Sequence, residues 1–364
     1  MAMPNGTTPM TIARHHCISS RRANRNAAQA DAARFDMRSA GVVLPGLSLA
    51  GAIAATALVT HHIPGMATFS PMILAIVIGM AFHNIVGTPS FAKPGIAFSL
   101  RRLLRFAVML LGFQLTLTVI AEVGARGLLI VAITVIATFT FTVWMGCNLR
   151  VDRRLSQLIA AGTSIGASAI LATNTITDAP DEDVAYAIAS ITFFGSIAVF
   201  AYPLLQGLLR LDSQTYGLWS GASIHEFAQV VAASFQVNQH AGEIAMMVKL
   251  ARVMLLAPMV FALSVKARLS ANCASTKSAT PPLPWFVLGF IALVGLNSVV
   301  TISPDARKLI VTLTTFLLSV ALAAMGLETD ISKLYAKGLR PALLGAVAFM
   351  FIATLCLMLI KLTG

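Results

Sequence analysis

Gly221-Ala-Ser-Ile-His225-Glu226-Phe-Ala-Gln229 sets two adjacent ionisable residues in the middle of an apolar stretch running from Tyr216 to Phe235. At about 1.5 Å rise per residue, His225 stands roughly 14 Å along that stretch, near the centre of a bilayer. Charge at such depth costs on the order of 2.5–3.5 kcal/mol per group, so the pair reads as a functional device, a carrier for a coupling proton. On a continuous helix His225 and Gln229 share a face, whereas Glu226 points about 100° away. His-Glu also begins the zinc-protease pattern H-E-x-x-H, but Gln229 stands at the fifth position. One ligand is missing, and neither a metal nor another cofactor is expected. The plainer reading of the pair is a hydrogen-bonded polar contact between helices.

Lys249 and Arg252, spaced i and i+3, lie on one face of the next apolar stretch, Gly242 to Val265, at a depth similar to that of His225. The connection from Gln236 to Ala241 is short, so the two helices are expected to be antiparallel neighbours. Two cations set against Glu226 leave one positive charge over, which a small anion could neutralise. The alternative is that Lys249 snorkels outward and Arg252 pairs with Glu226.

Gly162-Thr-Ser164-Ile-Gly166-Ala-Ser168-Ala-Ile carries three readings. It contains G-x-S-x-G, the nucleophile elbow, which needs a strand before it, and none is legible here. It contains G-x-x-x-G, the close-packing pattern of membrane helices. It also reads as a helix break whose freed backbone groups line a substrate cavity, with Asn174 further along the same stretch. Gly221-Ala-Ser223-Ile repeats its Gly-x-Ser-Ile pattern, although two spans separate the copies and complete spans would set them parallel. Either one span is re-entrant or the match is coincidental. His83-Asn84 and Gln114 are further polar groups within apolar stretches, read as contacts between helices.

The elements that must position these residues are membrane helices. The chain has 364 residues, of which 57% are hydrophobic and 11% charged, and its mean hydropathy is +0.82. That composition excludes a soluble globular protein. The formal charge of +12 lies in clusters between apolar stretches, and no nucleic-acid module accompanies it. Cys17, Cys147, Cys273 and Cys356 are scattered, so no disulfide or metal framework is expected.

Residues 1–40 are polar and arginine-rich, which predicts a disordered cytoplasmic tail ahead of a membrane domain over 41–364. From Gly41 onward eleven apolar stretches, within a range of ten to twelve, alternate with polar breaks. With the tail inside, the even-numbered loops carry Lys93, Arg101, Arg150, Arg153, Arg154, Arg210, Lys337 and Arg340, whereas the odd loops hold Arg126, Arg307 and Lys308 together with the acidic run Asp178, Asp181, Glu182 and Asp183. The positive-inside rule then gives a cytoplasmic amino terminus and a periplasmic carboxyl terminus. Gly112-Phe-Gln-Leu-Thr, with Gly124 and Arg126 beyond it, matches Gly326-Leu-Glu-Thr-Asp with Gly338 and Arg340 at a constant offset of 214 residues. Seven spans separate the copies, which predicts inverted repeats. The expected fold is an all-α polytopic membrane protein with inverted repeats and discontinuous helices.

Leu103-Leu-Arg105-Phe-Ala-Val-Met-Leu-Leu-Gly112-Phe, the two glycine-serine stretches, Lys249-Leu-Ala-Arg252-Val-Met-Leu-Leu-Ala-Pro258 and Met325-Gly-Leu-Glu-Thr-Asp330 together resemble the YeiH-like bacterial inner-membrane proteins, a family linked to sulfate export. Where that family carries Ile-Cys-Gly, this chain has Ile165-Gly166 without the thiol. The resemblance implies a transporter-type protein of the inner membrane, and it extends to secondary carriers with crossing, discontinuous helices. The function expected is secondary transport of a small anion such as sulfate, sulfite or a sulfonate. Lys249 and Arg252 would attract the anion, Ser164, Ser168, Ser223 and Asn174 would orient it, and His225 or Glu226 would carry a coupling proton. The rivals are an intramembrane serine hydrolase, which needs Ser164 within about 3 Å of His225, and a membrane sensor or channel.

Overall fold

The structure, a computed structural model, describes residues 40–63, 69–114, 117–270, 285–300, 303–329 and 337–363. The arginine-rich tail up to residue 39, Cys17, Cys273 and the loop residues Lys333 and Asp330 lie outside the described residues, as does the side chain of Glu122. The described chain is helical, without a strand: α1 Ala40–His61, α2 Pro71–Ile85, α3 Lys93–Phe98, α4 Leu104–Leu111, α5 Leu117–Asn148, α6 Arg153–Ser164, α7 Ala167–Thr177, α8 Asp181–Leu209, α9 Ser213–Ser223, α10 Phe227–Val237, α11 Gln239–Met254, α12 Leu256–Ser270, α13 Trp285–Val299, α14 Pro304–Glu328 and α15 Leu339–Thr363. A π-helical turn, Ser99–Leu103, joins α3 to α4. Among the described residues six helices or joined pairs are long and apolar enough to cross a membrane alone.

Neighbour contacts fix the direction of each passage. Asn84 donates to the carbonyl of Thr329 at 3.2 Å and Thr88 to that of Leu327 at 2.8 Å, so α2 and α14 end on the same side. Arg126 reaches the Ile360 carbonyl at 3.4 Å, while Gly146 packs on Leu344; α5 and α15 are therefore antiparallel. Gly46 lies against Ala92 and Gly95, which brings the start of α1 beside the start of α3. We call the side where α1 begins the near face and the side where α15 ends the far face.

Two of the eleven apolar stretches do not cross. Arg154, at the start of α6, donates to the carbonyl of Asp178, just past the end of α7, at 3.0 Å. A straight helix would hold those residues roughly 36 Å apart. α6 and α7 therefore form a re-entrant hairpin based on the near face. Asn238, after α10, donates to Ser213, at the start of α9, at 2.7 Å, and Ser220 and Ser234 hydroxyls meet at 2.8 Å between the arms. α9 and α10 form a second hairpin, based on the far face because α8 crosses between them.

Among the described residues nine crossings and two hairpins thus replace eleven crossings. Two re-entrant stretches preserve parity, so the ends of the described chain still lie on opposite faces. Two loops change sides. The acidic run Asp178–Asp183 joins Arg150, Arg153 and Arg154 on the near face, where Lys337 pairs with Asp183 and lies 3.8 Å from Glu182, and Arg210 moves to the far face. The expectation for those two loops was wrong because a hairpin and a span of equal length have the same hydropathy.

The repeat offset of 214 also organises the helices. It carries α2 onto α13 end for end, the segment Ser90–Gln114 onto α14, and Gly124 onto Gly338, both with positive φ (55° and 85°). α2 and α5 run toward the near face, α13 and α15 toward the far face. The repeats are inverted. α11 packs along both arms of the second hairpin, antiparallel to α10 as expected and parallel to α9, with Gly217 and Gly221 of α9 against Ala241 and Ala245.

A candidate site where two hairpin tips meet

The first tip is Ile165-Gly166. Gly166 holds φ 139° and ψ −175°, a conformation open to glycine, and a Cβ there would lie 2.9 Å from the His225 carbonyl oxygen. The second tip, Ile224-His225-Glu226, is extended backbone, with Ile224 closing α9 and Glu226 capping α10. Gln229 accepts from the Glu226 N–H at 3.2 Å, as the third residue of a capping box does. Its amide also donates to the Thr192 carbonyl at 2.9 Å, with Gly195 leaving the room for it. That residue fixes the second tip to α8, and the Glu226-x-x-Gln229 spacing was the legible signal of a helix start inside an apolar stretch.

Four half-helix ends converge at these tips, and each is met by opposite charge. The last carbonyls of α6 and α9 carry partial negative charge. Lys249 donates to the carbonyls of Ile165 at 3.1 Å, Ile224 at 2.9 Å and His225 at 2.5 Å. Arg252 donates to Ser164 at 2.5 Å and Ile224 at 2.8 Å, and to Thr163. Both cations are buried. At the positive N-termini of α7 and α10 stands one carboxylate: Glu226 caps α10 and accepts from the Ala167 N–H at 3.2 Å.

The sequence-predicted residues divide between two sides of this junction. Ser164 and Ser223 are buried and bonded inward. The Ser164 hydroxyl donates to Ala161 at 3.3 Å; that of Ser223 donates to the Trp219 carbonyl and accepts from Tyr202 at 2.9 Å. Ser168 is exposed on the first turn of α7, beside Ala167 and the half-buried Glu226. Asn174 is not part of the junction: its Oδ1 accepts from Ala179 N at 2.9 Å and closes α7 near the hairpin base. His225 lies in the break, so it shares no helical face with Gln229; it is buried, 5.6 Å from the Phe349 ring, and its Nδ1 has no partner among the described residues.

The structure corrects two pairings. No ion pair joins Glu226 to Lys249 or Arg252 among the described residues, and Lys249, with three carbonyl acceptors for three ammonium hydrogens, has no donor left for an anion. The hydroxyl of Ser164 makes no hydrogen bond to His225, so the contact a serine hydrolase needs is not formed. Asn84 bridges to the end of α14 as expected of a contact between helices, whereas His83 bonds Thr88 at 2.6 Å in the turn that follows its own helix.

The described chain can therefore hold negative charge at mid-membrane on one accessible side, where Ala167, Ser168 and Glu226 meet, while the opposite side is a sealed clamp. Residues 45–345 match the family described as conserved hypothetical protein 698. The chain is 36% identical to the UPF0324 inner membrane protein YeiH of Escherichia coli K12 over 315 residues, covering 84% of this chain and 90% of the relative. It is 38% identical over 322 residues to a UPF0324 membrane protein of Pseudomonas aeruginosa, covering 84% and 90%. The family match takes in both hairpins, the first repeat and the second as far as the first turns of α15, and the chain belongs to the conserved hypothetical protein 698 family of membrane proteins.

Proposed function

We propose that the protein is a secondary transporter of a small anion, of the sulfate, sulfite or sulfonate type, coupled to protons and working in the inner membrane. The observation that supports this reading is the place of Glu226. Its carboxylate occupies the point where the N-termini of α7 and α10 converge, a position that stabilises negative charge. A proton on Glu226 removes that charge and leaves two helix N-termini and Ser168 for an external anion. Uptake of one proton then accompanies binding of one anion. Lys249 and Arg252 act by holding the four half-helix ends together, which keeps those N–H groups aimed at one point.

The test is anion binding to purified protein followed by thermal shift across pH, since a ligand of the folded state raises its apparent stability. Wild-type protein should bind sulfate or sulfite more tightly as pH falls, and Glu226→Gln should bind with no pH dependence. An unchanged pH dependence in Glu226→Gln rules out this carboxylate as the carrier.

A further inference from the structure

Threonines in the helices of this protein usually bond the carbonyl four residues back. Thr140 does so on α5, to Ile136 at 2.8 Å, as do Thr312, Thr314 and Thr354 on other helices. Thr134, Thr138 and Thr142, also on α5, do not. All three are fully buried; the hydroxyls of Thr138 and Thr142 have no partner among the described residues, and that of Thr134 lies against the Cys356 thiol of α15. At spacings of four they form one stripe, which Gly146 continues and which packs against α6. From that helix Ser156, 1% exposed and equally without a partner, points back at the stripe: its Oγ is 2.3 Å from where a Cβ of Gly146 would sit. Ser190 of α8 repeats this against Gly345 of α15, next to Leu344, which touches Gly146.

We propose that these hydroxyls line a file of buried water in the seam between α5 and the first hairpin, and that this file carries the coupling proton from the near face to the hairpin tips. A buried hydroxyl left unbonded is costly, and water with several polar partners is its usual companion. The stripe from Gly146 to Thr134 spans about 18 Å. Its outer end adjoins a near-face pocket lined by Arg150, Asp152, Leu155, Asp183, Lys337 and Arg340. Its inner end reaches the tips, because α5 and α6 are antiparallel and Ser164, whose carbonyl holds Arg252, lies level with Thr138. The groups that receive the proton there are His225, with its free Nδ1, and Glu226. Around them stand Lys249 and Arg252 from α11, Tyr202 from α8, Cys356 from α15 and, facing Glu226, the Glu328 carboxylate of α14. The proton role rests on the proposed coupling; the water file does not.

Solid-state NMR on threonine-labelled protein in liposomes measures transfer of polarisation from water to each side chain, with assignments from single Thr→Val variants. Thr138 and Thr142 should receive it at least about threefold faster than Thr140, as side chains beside ordered water do. Equal rates overturn the file. Thr138→Val should lower pH-gradient-driven sulfite flux about tenfold, as loss of a proton relay does, while Thr140→Val leaves it unchanged. Fast transfer at Thr138 with unchanged flux in Thr138→Val overturns the proton role. Wild-type protein without pH-driven flux overturns both that role and the coupling reading, and the NMR comparison still decides whether the seam is wet.

Discussion

Lys249 offers three ammonium hydrogens and meets three carbonyl oxygens, at the C-terminal ends of two different half-helices. Its depth and its proximity to His225 were legible in the sequence, because a buried cation in an apolar stretch stands out against its cost. Its partners were not legible. Backbone carbonyls have no residue identity, and a reading by side chains could offer only Glu226 as a counter-charge. Lys249→Met fills similar volume and leaves the Ile165 and His225 carbonyls without that donor, while Ile224 keeps Arg252, so it should lower stability by about 3 kcal/mol. Chemical denaturation in detergent measures this, and an unchanged midpoint would show that the clamp contributes nothing. Gly166 was legible as a possible break but not as the reason for one. Its positive φ and its approach to the His225 carbonyl appear only when the second tip is in place.

At the scale of elements, the two hairpins explain why Gly-x-Ser-Ile occurs twice. α6 enters from the near face, α8 crosses, and α9 enters from the far face, so the copies are inverted rather than parallel. Each arm has 11 or 12 residues, about half a membrane thickness, and both arms together match the length of one span. Hydropathy therefore cannot separate them, whereas the hydrogen bonds between arm bases do. The consequence is testable with single cysteines at Asp181 and Arg210, in a background lacking the native thiols, labelled by a membrane-impermeant maleimide. Asp181 should label from the same face as a cysteine at Arg153, and Arg210 from the other. The reverse result would restore two full crossings.

At the largest scale, the offset of 214 aligns three passages of each repeat, and the hairpins bring the number of crossings among the described residues to nine. The described near face gathers Arg150, Arg153, Arg154, Lys337 and Arg340, and by the positive-inside rule we expect it to be the cytoplasmic one. A fluorescent protein fused after Gly364 should accordingly be dark and an alkaline phosphatase fusion active; a bright fusion inverts the assignment. The all-helical membrane fold, the inverted repeat and the similar depth of the four ionisable residues were legible along the chain, since each follows from local hydropathy, spacing or cost. That two stretches turn back at mid-membrane emerges from the packing of the folded chain. That outcome depends on what their tips meet: carbonyl ends need Lys249 and Arg252 from another helix, and N–H ends share Glu226. Charge compensation between segments distant in the chain leaves no periodic signal along it.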